Sequence, residues 1–70
     1  MPLTMANAGT LISISQVHAK DDTRRFLESL GFVSGATVMI VAEMAGNLIV
    51  NVKDTRVAIS KAMANKIHVA

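Results

Sequence analysis

Seventy residues suffice for one small domain, 1–70, near the size at which burial only just outweighs chain entropy. There is no cysteine, which excludes a disulfide, a thiolate metal cage, a cysteine nucleophile and an iron–sulfur cluster. Hydrophobic residues make up 51% of the chain and aromatics only 3%, so a core must be built from Val, Ile, Leu, Met and two Phe, and a formal charge of +2 is too weak a bias for a nucleic-acid footprint.

Pro2, Leu3 and Met5 open an apolar segment that Ala8, Gly9 and Thr10 interrupt as a turn would. Residues 11–15 then alternate, with Ile12 and Ile14 on one side, which predicts a first strand. Residues 16–20 show no clear period and read as a connection, with Val17 tucked inward and His18 at the surface. Asp21 and Asp22 are side chains that accept from free amides at a helix start and favour its positive dipole end. In the short helix that follows, Phe26, Leu27 and Leu30 form the apolar stripe, Arg24 and Glu28 pair across one turn, and Gly31 supplies the left-handed terminus. So short a helix is unstable alone in water and must dock its stripe on a sheet. Phe32 and Val33 continue the apolar contact, and Ser34 with Gly35 turns the chain.

Residues 37–60 hold most of the sheet. Val38, Ile40 and Ala42 alternate with Met39, Val41 and Glu43, and beyond a turn Leu48, Val50 and Val52 alternate with Ile49, Asn51 and Lys53. If the even-numbered residues of both strands face one core, facing positions sum to an even number and the loop is odd in length. Ala45, Gly46 and Asn47 meet that condition, which pairs Ile40 with Val52 and Ala42 with Val50 inside, and Met39 with Lys53 and Val41 with Asn51 outside. Asp54 and Thr55 turn the chain into a third strand, 56–60, with Val57 and Ile59 inward. Residues 61–66 read as a single helical turn contacting the core through Ala62 and Met63. A last strand, Ile67 to Val69, points His68 outward. The expected fold is mainly β: a small SH3-like, partly open β-barrel of about five strands, with one short α-helix after the first and a helical turn before the last. An OB-type barrel would place its helix between the third and fourth strands.

Candidate chemistry is sparse. His18 and His68 are the only histidines, far apart in sequence and in no ligand spacing, so no metal site is expected of them. Asp21 and Asp22 have no nucleophile or orienting group nearby and read as helix-start residues, not as an acid–base pair. The glycines stand singly and form no phosphate-cradling loop. Lys20, Arg24, Arg25 and Lys61 lack the aromatics that would stack bases and read as a solvated face. No enzyme activity and no cofactor are expected. The outer face of the hairpin holds more content, with Met39, Val41 and Ile49 on the side that alternation gives to solvent and Met44 and Leu48 by the turn. An apolar cluster so placed is a candidate partner-binding surface, for another protein or a second copy of the chain, unless the helix or the amino-terminal segment covers it.

The order Leu30-Gly31-Phe32, Ser34-Gly35, a Val and Ile strand, a turn, a second strand, Val57-Ala58-Ile59, then Ala64, Ile67 and Val69 resembles the ferrous-iron transport protein A (FeoA) family. The resemblance extends to Leu3 and the Ala8-Gly9 turn. It implies an SH3-like barrel without enzyme activity that serves as a cytoplasmic accessory to FeoB, the membrane transporter for ferrous iron that carries a GTP-binding domain. Many members hold a Gly-Asp-Pro-like segment at the hairpin tip, absent here, so a contact made by that tip elsewhere does not carry over. The same domain closes metal-dependent repressors of the diphtheria-toxin-repressor type, whose DNA-reading helices have no counterpart here. Apolar runs are broken well short of the ~20 residues a membrane span needs. Residues 1–8 place no positive side chain ahead of an apolar stretch, so the expected location is the cytoplasm.

Overall fold

Alternation in residues 37–60 does produce a meander, and its turns decide which residues meet. A computed structural model describes residues 1–70. A 3-10 turn at Leu3–Met5 precedes β1 (Ile12–Val17), α1 (Asp21–Ser29), β2 (Thr37–Met44), β3 (Asn47–Val52), β4 (Thr55–Ser60), α2 (Lys61–Ala64) and β5 (Ile67–Val69). The strands form one antiparallel sheet in the order β4-β3-β2-β1-β5, so its two end strands do not pair with each other and the barrel stays partly open.

The β2–β3 turn has two residues, not three. Ala45 and Gly46 both take positive φ, 51° and 82°, the geometry whose twist matches the flanking strands. Asn47 therefore belongs to β3, opposite Met44. Such a turn places facing residues on an odd sum, which alone would set the apolar face of β2 against the polar face of β3. A bulge at Val41 inserts one residue and restores the even sum, so Val38 meets Val52, Ile40 meets Val50 and Met39 meets Asn51. The expected faces hold for Val38, Met39 and Ile40 but the expected partners do not, since Ile40 does not reach Val52; beyond the bulge Ala42, expected inside against Val50, lies across from Ile49 on the outer face. Lys53 and Asp54 repeat the device with φ of 51° and 60°, so β4 begins at Thr55, one residue before the sequence reading starts it.

Fourteen buried apolar residues form one core. Val38, Ile40, Leu48, Val50, Val52 and Ile59 supply the hairpin side, and Leu3, Ile14, Val17, Leu27, Phe32, Ala64, Ile67 and Val69 close over it. β1 runs on to Val17 where a connection was expected, because a bulge between Ile14 and Gln16 lets both Ile14 and Val17 point inward.

Lys20 stands at the cap of α1 without a side-chain bond, so Asp21 and Asp22 act there only through their charge in the first turn. The ion pair on this helix is Asp22 with Arg25 at 3.8 Å, not Arg24 with Glu28, and both side chains are exposed enough for it to matter little. Leu27 is buried and Leu30 half-buried, whereas Phe26 is 48% exposed. The reason is angular: Thr23, Leu27 and Leu30 share a stripe, and Phe26 stands about 100° round from Leu27. The helix ends with Gly31 N–H donating to Glu28 O at 2.9 Å and Phe32 N–H to Leu27 O at 3.0 Å, which draws Phe32 onto Leu27. Gly31 has φ of 106°, and a Cβ there would sit 3.0 Å from Val52 Cγ2, so both backbone and space demand glycine.

Ser60 Oγ accepts from Met63 N–H at 3.2 Å and starts α2. Ala64 is buried and Ala62 exposed, the reverse of the expected contact. Lys61 pairs with Glu43 at 3.0 Å.

Candidate functional site

Strand alternation and the Val41 bulge together set the outer face of β2 and β3. Met39, Val41 and Ile49 lie there half-buried and outside the core cluster, and the amino-terminal segment runs beside β2, with Gly9 N–H donating to Ile40 O at 2.9 Å. Met44, by the turn, is 63% exposed. Leu48 is not part of this face: it is only 4% exposed, because it shares the inward phase of β3 with Val50 and Val52 and meets Ile59 of β4. Leu11, which sequence reasoning passed over, is 71% exposed and lines a shallow cleft of about 270 Å³ with Thr37, Met39, Asn51, Lys53 and Asp54. Its signal was legible: Leu11 is apolar in the phase opposite to Ile12 and Ile14. The outer face is therefore an apolar strip with a lysine and an aspartate at one end, suited to burying part of another protein.

Two residues expected to stand apart are brought together. The imidazole rings of His18 and His68 have centroids 4.3 Å apart and planes tilted by 53°. Pairing of β1 with β5 causes this. Val17 faces Ile67, and His18 N–H donates to Lys66 O at 2.7 Å, which puts His18 diagonally across from His68 on the outward face. His68 is held below the usual histidine range of 6.5, first by desolvation in its half-buried position and then by the positive charges of His18 and the amino terminus.

The other candidates stay apart. Asp21 and Asp22 are exposed, and no three His, Asp or Glu side chains converge anywhere in the molecule. Arg24 and Glu28 line a second cleft, of about 210 Å³, between α1 and β1 with Gln16 and Ser34. Lys61 is taken up by Glu43 at the far end of the sheet, so no continuous basic patch forms.

Five antiparallel strands in one partly open barrel, with a helix between the first and second, define an SH3-like domain. The FeoA domain model matches residues 1–70, and the chain belongs to the FeoA family, whose members are involved in ferrous-iron transport. Among solved structures, the iron uptake regulatory protein FeoA superposes with a TM-score of 0.90 at 26% identity, over 99% of this chain and 93% of that one. FeoA of Stenotrophomonas maltophilia, an SH3 domain protein solved in complex with zinc, gives 0.86 at 33% identity, over 100% and 89%. A manganese-dependent transcriptional repressor gives 0.88 at 20% identity, over 100% of this chain and 40% of that one, which shows a shared fold. No curated protein sequence matches the chain. No helix is long and apolar enough to cross a membrane.

Proposed function

We propose that the chain is a cytoplasmic, non-enzymatic accessory of ferrous-iron uptake that binds the cytoplasmic GTP-binding part of a FeoB-like transporter. Family membership supports the process, and the relative from Stenotrophomonas maltophilia has been put forward as a ferrous iron transport activating factor. The observation that carries the means is the half-exposed apolar face of β2 and β3, where Met39, Val41 and Ile49 are flanked by the exposed Met44 and Leu11. Such a module alters transport or GTP turnover only by preferring one conformation of its partner over another. Titration of the chain against the transporter's cytoplasmic domain tests this. Binding is expected, and Ile49→Lys should weaken it tenfold or more, about 1.4 kcal/mol, at an unchanged melting temperature. Absence of binding at high micromolar concentration would sink the proposal, and an unaltered affinity in Ile49→Lys would move the contact off this face.

The adjacency of His18 and His68 favours a second reading, a metal-binding or metal-sensing domain akin to the repressor module. A sensor of the transported metal would have to bind ferrous iron as the isolated chain, which anaerobic calorimetry decides independently of whether the pair takes another transition metal.

A further inference from the structure

We propose that His18 and His68 form a surface site for one borderline divalent cation, zinc, nickel or copper, held by both imidazoles. Ring centroids at 4.3 Å bring the two donors within the reach of a single ion. A metal with bonds of about 2.0–2.1 Å to nitrogen needs its two nitrogens roughly 3.3 Å apart in tetrahedral geometry, which rotation about the side-chain torsions of two adjacent imidazoles supplies.

Nothing else in the structure accounts for the pair. Neither ring makes a hydrogen bond or an ion pair with the protein, so every ring nitrogen is free. The backbone beneath them is held in place: His18 N–H donates to Lys66 O at 2.7 Å, Ser15 Oγ donates to His68 O at 3.1 Å, and Pro2 bridges to His68 from the other side. Two rings carried on a fixed backbone have only their side-chain torsions to lose when they share an ion, which favours binding over the same residues on a loop.

The surroundings bear on which ion the pair takes. Lys66 lies across from His18, the amino terminus donates to Val69 O beside His68, and no third His, Asp or Glu converges, so the site is weak, and two imidazoles without a carboxylate favour copper, nickel and zinc over ferrous iron. This site therefore does not select the metal that the family transports. It lies just past the end of β1 and on β5, away from the β2–β3 face, so its failure and that of the transporter contact are separate events.

The test is a titration of the intact chain with zinc chloride at pH 7.5, followed by calorimetry and by 1H–15N spectra that include the imidazole nitrogens. One ion per chain is expected, with both histidines shifting together, and a parallel series should rank copper first and ferrous iron last. His18→Gln and His68→Gln should each weaken zinc binding at least tenfold, and the double variant should abolish it, with backbone spectra confirming an intact fold because both side chains point outward. Zinc binding that survives in the double variant, centred on the amino terminus or the carboxylates, would overturn the proposal. So would histidine signals that respond independently of each other.

Discussion

His68 shows how a residue of bland sequence context acquires a distinct chemistry from its neighbours. Its charged form is disfavoured by desolvation, by His18 and by the amino terminus, so its folded pKa lies below the unfolded value of 6.5. The unfolded chain then binds more protons than the folded one as pH falls from about 6.5 toward the depressed value, and stability must decline across that window. A series of thermal melts between pH 7.5 and 5 should show the fall, and His68→Gln should flatten it. An equal slope in the variant would assign the pH dependence elsewhere. Leu11 and Phe26 belong to the same scale. Both are large apolar residues on the outward side of their elements, one legible as out of phase and the other mistaken for part of the helix stripe.

At the scale of elements, the turns hold the interest. Each of the two tight hairpins places two residues at positive φ, and at Ala45, Lys53 and Asp54 these are not glycine. A left-handed conformation costs an ordinary residue about 1–2 kcal/mol, less for Asn, whose side chain hydrogen-bonds locally. Ala45→Asn should accordingly stabilise the domain by roughly 0.5–1 kcal/mol, read as a higher urea midpoint at constant slope. A loss of stability would mean that the strain at Ala45 is not what it is taken to be. The bulge at Val41 is the companion of this turn. An even-length loop shifts parity and a single inserted residue shifts it back, so alternation revealed the faces of β3 and of β2 up to Ile40 while misplacing their partners, and Ala42 beyond the bulge joins Ile49 on the outer face. The short helices follow the same logic: the first was legible from Asp21, Asp22 and Gly31 and the second as a turn over 61–66, but which side chain docks depends on the sheet they meet, and Ala64 rather than Ala62 reaches it.

For the molecule as a whole, one cluster of fourteen buried residues and no disulfide hold everything together. A chain of this length has a total stability of roughly 4–10 kcal/mol. Phe32 is fully buried and, through the terminus of α1, ties the helix to the barrel. Truncation by Phe32→Ala should cost about 3–5 kcal/mol, a large share of that total, and leave a substantial unfolded fraction visible in circular dichroism at 37 °C. Val57→Ala, a half-buried position on β4, should cost far less. The proposed docking face and the histidine pair draw nothing from this core, so substitutions in either are expected to change binding without unfolding the domain.

Period-two alternation, two acidic residues at a helix start and glycines at the turns are local signals. They set the elements and most of the inward side chains, because each depends only on residues a few positions apart, while the SH3-like class and the family resemblance come from the order of those motifs along the whole chain. Register, the Val41 bulge, the outward turn of Ala42 and the meeting of His18 with His68 depend on how strands settle against one another. No local period records that settlement, since the energy that selects it comes from packing one shared core, and only the closed barrel shows which outward residues it has left side by side.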